Sequence, residues 1–237
     1  FETVDDAVNC VITTIQCGIP MARIELLDHM MVRGFNLYSD AGLPEVPHLF
    51  LEFHGSPAAV EDQRSAFADI AQDFGATGWK TADTTEDRTA LWAMRHDAHY
   101  ASAALGKGKH IWPTDVCVPI SKLAEAVRQS QDDAIKLGLT ATIVGHVGDG
   151  NFHAGLSVDP NDPDEMQRAE QFTNDLCETA LRLGGTVSGE HGIGLGKQRH
   201  MHAEHGDALT PMRAIKAALD PNNILNPGKM LPMTNDR

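Results

Sequence analysis

Apolar residues recur at helical spacing from Val4 to Cys17, then give way to short apolar runs at Ala22–Leu27 and His48–His54. That pattern predicts one helix followed by two strands. The intervening Met30–Pro47 stretch reads as a loop or a mobile insertion. A second helix is expected from Pro57 to Phe74, with Pro57 suited to a first turn, then a strand over Gly78–Ala82. A third helix is expected over Thr85–Leu105, where Trp92 and Tyr100 would anchor one side, until Gly106-Lys107-Gly108-Lys109 breaks the pattern.

The second half is more regular. It predicts a strand at Thr114–Pro119, a helix at Ser121–Leu137, strands at Thr140–Gly145 and Phe152–Val158, a helix at Pro163–Leu183 and a strand at Thr186–Ser188. This βαββαβ order is the ferredoxin-like unit. The first half shows αββαβ, the same unit without its opening strand. The expected fold is therefore α+β: two duplicated ferredoxin-like units, about 1–83 and 112–190, forming antiparallel sheet with helices on one face. A helical tail over 191–237 follows. Phe1 would be the end of the missing strand, so the chain is expected to begin inside a larger protein.

Composition narrows the partners. At 237 residues the chain can bury a substantial core. A net charge of −14 without a basic cluster argues against nucleic acid or an anionic membrane as partner. No apolar run approaches the roughly 20 residues of a membrane span and no signal peptide is visible, which gives a cytoplasmic expectation. Cys10, Cys17, Cys117 and Cys177 form no C-x-x-C pair and sit in apolar segments, as reduced buried thiols do.

The chemistry concentrates in His146-Val147-Gly148-Asp149-Gly150-Asn151-Phe152-His153. Asp149-Gly150 is a preferred pair for a two-residue type I′ turn. A hairpin folded there sets His146 opposite His153 on one sheet face, with Cβ atoms about 4.5–5.5 Å apart. Two imidazoles so placed can reach a metal at about 2.0–2.1 Å; the alternative is a hairpin whose histidines merely alternate with Val147 and Phe152. Further on, Ser188-Gly189-Glu190-His191-Gly192-Ile193-Gly194 offers Glu190 as an oxygen ligand, completing a two-His-one-carboxylate set with open positions. His191 would stand beside a bound substrate as general base. Alone, Glu190 reads equally as a solvated carboxylate and His191 as a loop hydrogen-bonder. The glycine spacing here matches neither a P-loop nor a dinucleotide fingerprint. His96, His99, His200, His202 and His205 have no chemical context of their own and read as surface or loop residues.

Three blocks together carry a resemblance: His146-x-Gly148-Asp149-Gly150-Asn151-x-His153, Ser188-Gly189-Glu190-His191-Gly192-Ile193-Gly194, and Leu219-Asp220-Pro221-x-x-Ile224-Leu225-Asn226-Pro227-Gly228-Lys229. In this order they resemble the C-terminal domain of the FAD-linked oxidases, which include D-lactate, glycolate and D-2-hydroxyglutarate dehydrogenases. The resemblance implies a substrate domain that caps a separate N-terminal FAD domain, with a divalent metal on His146, His153 and Glu190 and with His191 as base. It also implies that Arg95 holds the substrate carboxylate, where the other reading is a helix-surface arginine. Asn226 either faces the flavin or forms a turn before Pro227, and Lys197 either adds charge near the site or stands solvated. Pro113-Thr114 and Gly155 replace a lysine and an asparagine found in some 2-hydroxyglutarate enzymes of the family. A five-carbon dicarboxylate is thereby disfavoured.

The expected function is oxidation of a D-2-hydroxy acid (D-lactate, glycolate or similar) by FAD held mainly on the absent domain. Zinc fits the ligand set best, with manganese or iron as alternatives. The expected partners are the small hydroxy acid, the FAD domain and an electron acceptor of unassigned chemistry; a homodimer is compatible. The rival readings are a metal-dependent hydrolase, active without flavin, and a non-catalytic interaction module.

Overall fold

The computed structural model describes residues 1–232. Helix α1 (Val4–Gln16) starts where the Thr3 side chain accepts from the Asp6 N–H and donates to its carboxylate, a cap that satisfies one of the helix's free N–H groups. Then come β1 (Arg23–Leu27), α2 (His29–Ser39), β2 (His48–Glu52), α3 (Pro57–Asp73), α4 (Thr85–His96) and α5 (Ala98–Ala104). The second half runs β3 (His110–Pro113), β4 (Val116–Cys117), α6 (Leu123–Lys136), β5 (Thr140–Gly145), β6 (Asn151–Val158) and α7 (Pro163–Arg182). The tail adds α8 (Met201–His205) and α9 (Leu209–Leu219). Its last five residues lie outside the described residues.

The strands form one antiparallel sheet in the order β2-β1-β5-β6-β3, with β4 also paired to β6. In the second unit β4 lies between β6 and a single bridge from Cys117 to Thr186, so second, third, first and fourth strand positions follow in the ferredoxin-like order. Alternation along the strands gives the sheet two faces. Ile24, Leu26, Ile143, Phe152, Ala154 and Leu156 join the main core, which also takes in the buried sides of α1, α3, α6 and α7. The repeat helices thus share one face, as predicted. Leu27 and Val144 point the other way, onto a smaller core with Met31, Phe35, Trp92 and Ala101 from α2, α4 and α5.

Several elements differ from the sequence reading. Met30–Pro47 is not all loop: Asp28, buried, accepts from the Met31 N–H and caps α2, whose Met31, Val32 and Phe35 are buried. Gly78–Ala82 forms no strand. Its counterpart, Thr186, pairs with the opening strand of its unit, and no such partner stands beside 78–82 among the described residues. Thr186–Ser188, expected as a strand, amounts to one bridge, from Thr186 to Cys117. The Thr85–Leu105 helix breaks at Asp97, whose N–H bonds back to Ala93 and Met94; Trp92 is buried there but Tyr100 is exposed. The Thr114–Pro119 strand is shifted into β3 and β4, which keep one register against β6 across a break at Thr114 and Asp115. Cys10 and Cys177 are buried thiols, whereas Cys17 is exposed and Cys117 half-buried. His200 is buried. Among the described residues no helix is long and apolar enough to cross a membrane.

Candidate metal centre and cleft

The β5–β6 connection is wider than a two-residue turn. Val144 pairs with His153, and only Gly150 of the connecting residues takes a positive φ, of 80°; Asp149 does not, so the type I′ expectation fails. The Asp149 and Gly150 N–H groups instead donate to His146 and Val147 in successive turns. His146 therefore lies diagonal to His153, just past the end of β5, rather than opposite it. Both rings still occupy the face away from the main core, 5.9 Å apart.

Each ring is fixed from behind. His146 Nδ1 lies 2.6 Å from a Glu25 carboxylate oxygen, and His153 Nδ1 lies 3.1 Å from the Thr114 carbonyl. A carbonyl can only accept and an ionised carboxylate likewise, so both Nδ1 atoms carry the proton and both Nε2 lone pairs face the site. Glu190 Oε1 sits 3.1 Å from His153 Nε2 and 3.7 Å from His146 Nε2. One donor atom from each of the three side chains lies within 4.8 Å of the others. Donors this close together can share one divalent cation at about 2.0–2.2 Å after side-chain adjustment. Outward hydrogen bonds from the ligating imidazoles are what a metal site needs to hold its tautomers. The residues present fit a metal.

His191 stacks on His153 with ring centroids 5.0 Å apart, and its Nε2 is 3.7 Å from Glu190 Oε1. Arg95, from the last turn of α4, donates from Nε to Glu25 at 2.9 Å. Its terminal nitrogens make no hydrogen bond among the described residues. Arg95 and His146 share one wall of an open cleft of about 750 Å³, together with Arg23, Ile24 and Trp92. The Arg23 guanidinium lies over the Trp92 ring at 4.9 Å, a cation–π contact.

Glu25 also biases the titration of His146. Its hydrogen bond is the largest effect and raises the imidazole above its ordinary value against the opposing effect of burial. Burial is the largest effect on His153 and pushes it down. Asp115, its side chain 1% exposed, would be raised by burial. Hydrogen bonds from the His191 N–H, Asn151 and Ser188, with the Lys197 charge, outweigh that and hold it at about 2.

The structure thus brings His146, His153, Glu190, His191 and Arg95 to one region. It does not bring the other two expected residues there. Lys197 Nζ donates to the Asp115 backbone carbonyl and lies 3.8 Å from its carboxylate, so its charge is engaged behind the cluster. Asn226 sits exposed in a tail turn with φ 47°, its carbonyl accepting from Lys229, and takes no part in the cluster. Sequence reasoning missed Glu25 and Asp115. The available signal was a lone acid inside an apolar strand, Ile24-Glu25-Leu26-Leu27 and Asp115-Val116-Cys117-Val118, where an ionised group persists only if paired.

Known proteins share this arrangement of chain. The chain is 45% identical over 235 residues to the probable mitochondrial D-lactate dehydrogenase of Danio rerio, covering 99% of this chain and 47% of that protein. It is 35% identical to the glycolate oxidase subunit GlcD of Bacillus subtilis, covering 97% of this chain and 49% of that protein. It spans about half the length of these relatives. Among solved structures, 4-ethylphenol oxidase from Gulosibacter chungangensis superposes with a TM-score of 0.68 at 16% identity, over 98% of this chain and 53% of that one, which shows the shared fold. The family model for the C-terminal domain of FAD linked oxidases matches residues 1–230, and the chain belongs to that family.

Proposed function

We propose that this chain is the substrate- and metal-binding part of an FAD-dependent enzyme that oxidises a D-2-hydroxy acid, such as D-lactate or glycolate, to the 2-oxo acid. The observation that carries the reading is the convergence of the His146 and His153 Nε2 atoms on the Glu190 carboxylate beside a cleft walled by Arg95. The names of the relatives supply the substrate class.

His146, His153 and Glu190 would hold a divalent cation, zinc by donor type. When bound, such a cation supplies Lewis-acid stabilisation of negative charge on a coordinated oxygen. FAD, held by a domain outside this chain, supplies the acceptor for the α-hydride. The chain's own residues supply the rest. Arg95, with Nε engaged by Glu25, presents its two terminal nitrogens for a bidentate grip on the substrate carboxylate. His191 takes the hydroxyl proton at Nε2, and its stacking on His153 keeps the ring beside the three donors.

The test uses the full-length flavoprotein mixed anaerobically with D-lactate, L-lactate and glycolate. Flavin bleaching with a D-2-hydroxy acid or glycolate, abolished by a chelator and restored by Zn²⁺ or Mn²⁺, is the expected result. Bleaching that is indifferent to the chelator overturns the metal assignment, and no bleaching with any 2-hydroxy acid overturns the substrate class.

A further inference from the structure

Glu190 and His191 have little of their own to hold them. Their side chains are 49% and 50% exposed, and residues 189–195 form no helix or strand. What fixes this segment lies beneath it. We propose that Asp115 is the positioning residue of the site: its buried carboxylate ties the Ser188–His191 turn to the strand opposite His153, and so sets where the Glu190 carboxylate and the His191 imidazole stand.

The geometry is specific to an acceptor with no proton. Asp115 Oδ2 accepts from the His191 N–H at 2.9 Å, the Ser188 hydroxyl at 2.9 Å and the Glu190 N–H at 3.2 Å. Asp115 Oδ1 accepts from Asn151 Nδ2 at 2.8 Å, and Asn151 belongs to β6 two residues before His153. The register of β3 and β4 against β6 places Asp115 directly across from His153, with Oδ1 3.7 Å from its Nδ1. One carboxylate therefore touches the strand side of the site and the loop side at once. Gly189 is what lets the turn lie so close, since a Cβ there would stand 1.8 Å from Asn151 Nδ2 and 3.1 Å from Asp115 Oδ1. An amide in place of the acid keeps only one acceptor oxygen, so its NH2 must face either the Asn151 amide or the Ser188, Glu190 and His191 donors.

The inference rests on the site reading above, and its test is arranged so that the two fail separately. In the full-length protein, Co²⁺ binding is followed by its visible absorption and flavin reduction by stopped flow, for wild type, Asp115→Asn and Gly189→Ala. The alanine at Gly189 sets a Cβ between the turn and its support, against Asn151 and the Asp115 carboxylate, while Asp115, Glu190 and His191 themselves keep their side chains. Both variants are expected to weaken Co²⁺ affinity by about 10–100-fold, the usual worth of a support behind metal ligands, with an altered absorption band and slower flavin reduction. Thermal melting separates this from lost folding: a merely structural Asp115 lowers the melting temperature but leaves the folded fraction with wild-type affinity, spectrum and rate, and that overturns the proposal. If Asp115→Asn does not fold, Gly189→Ala with wild-type affinity, spectrum and rate overturns it alone. If wild type binds no Co²⁺, the metal reading fails, and Asp115 stands or falls on the rate of flavin reduction through His191.

Discussion

The two sides of the site are built on different principles. On the sheet side, His153 lies in β6 and His146 just past the end of β5, each anchored through Nδ1 to Glu25 or Thr114. On the loop side, Glu190 and His191 stand half-exposed in a segment without regular structure, tied down through Asp115. Strand register fixes side-chain positions through many backbone hydrogen bonds at once, whereas a loop can be displaced by losing a few. Changes on the sheet side should therefore register first as lost stability, and changes on the loop side as lost chemistry in a folded protein.

The sharpest break of that contrast comes from the neighbouring pair Glu190 and His191. His191→Ala should slow flavin reduction in the full-length enzyme by roughly 10²–10⁴-fold, the worth of a general base, while metal content is retained. Glu190→Gln removes the anion of the proposed ligand set, so metal occupancy and substrate affinity should fall together. The geometry makes the assignment testable rather than automatic, because His191 Nε2 is as far from Glu190 Oε1 as His146 Nε2 is, 3.7 Å in both cases. Metal analysis alongside stopped-flow rates decides it: an empty site in His191→Ala with a full one in Glu190→Gln exchanges ligand and base.

Glycine replacements probe the same contrast through stability. Gly150, in the connection between His146 and His153, has φ 80°, and a Cβ there would meet the Val118 carbonyl oxygen at 2.1 Å. Gly150→Ala combines left-handed strain with a backbone clash and should cost more than about 2 kcal/mol. Gly192, one residue past His191, has φ 76° with nothing within 4 Å of its Cβ position. Gly192→Ala should cost only the strain, about 1 kcal/mol. Thermal melting of the two variants should rank them in that order, and equal losses would show that the loop side is as constrained as the sheet.

The same division explains what could be read from the sequence. The repeat helices and the β5–β6 pair were legible because period and turn residues act locally. The convergence of His146 and His153 was legible even though the register was not. Side chains two residues apart along a strand share a face, so a diagonal pair meets where an opposed pair was expected. Helix α2 was hidden because Met31, Val32 and Phe35 are interspersed with Arg33, Gly34 and Asn36, and the capping Asp28 was the only strong start signal. Residues 78–82 have strand-like composition, but a strand forms only beside a partner. Glu25 and Asp115 showed in the sequence only as lone acids in apolar runs; what makes them supports is burial against groups far along the chain, 121 residues for Glu25 and His146.

On the sheet side the support can be weakened without moving a ligand. Glu25→Gln keeps an acceptor for His146 Nδ1 but removes the negative charge shared with Arg95. Metal affinity should fall by about 10–100-fold, and Arg95, released from its ion pair, should hold the substrate carboxylate less well. Calorimetric metal titration and the KM for the hydroxy acid are the readouts. Unchanged values for both would reduce Glu25 to a packing acid.

A last effect lies at the end of β1, the strand that carries Glu25, and it sharpens the claim that the sheet side is maintained at some cost. Asp28 is buried, and burial is the largest effect on its carboxyl, raising it to about 6 despite the Met31 N–H it accepts. An acid raised in the folded state binds its proton more tightly there than in the unfolded chain, whose ordinary value is about 3.9. Its stabilising contribution is therefore complete below about pH 4 and is lost as pH rises through about 6, the reverse of an ion-paired carboxylate. Asparagine caps a helix about as well as aspartate and carries no charge to bury. Asp28→Asn should raise stability at pH 7 by at most about 3 kcal/mol, the equivalent of two pKa units, with a matching rise in Tm, and should leave it unchanged near pH 4. A variant less stable than wild type at pH 7 would mean that the ionised carboxylate contributes to the fold, with His29 beside it as the first cation to examine.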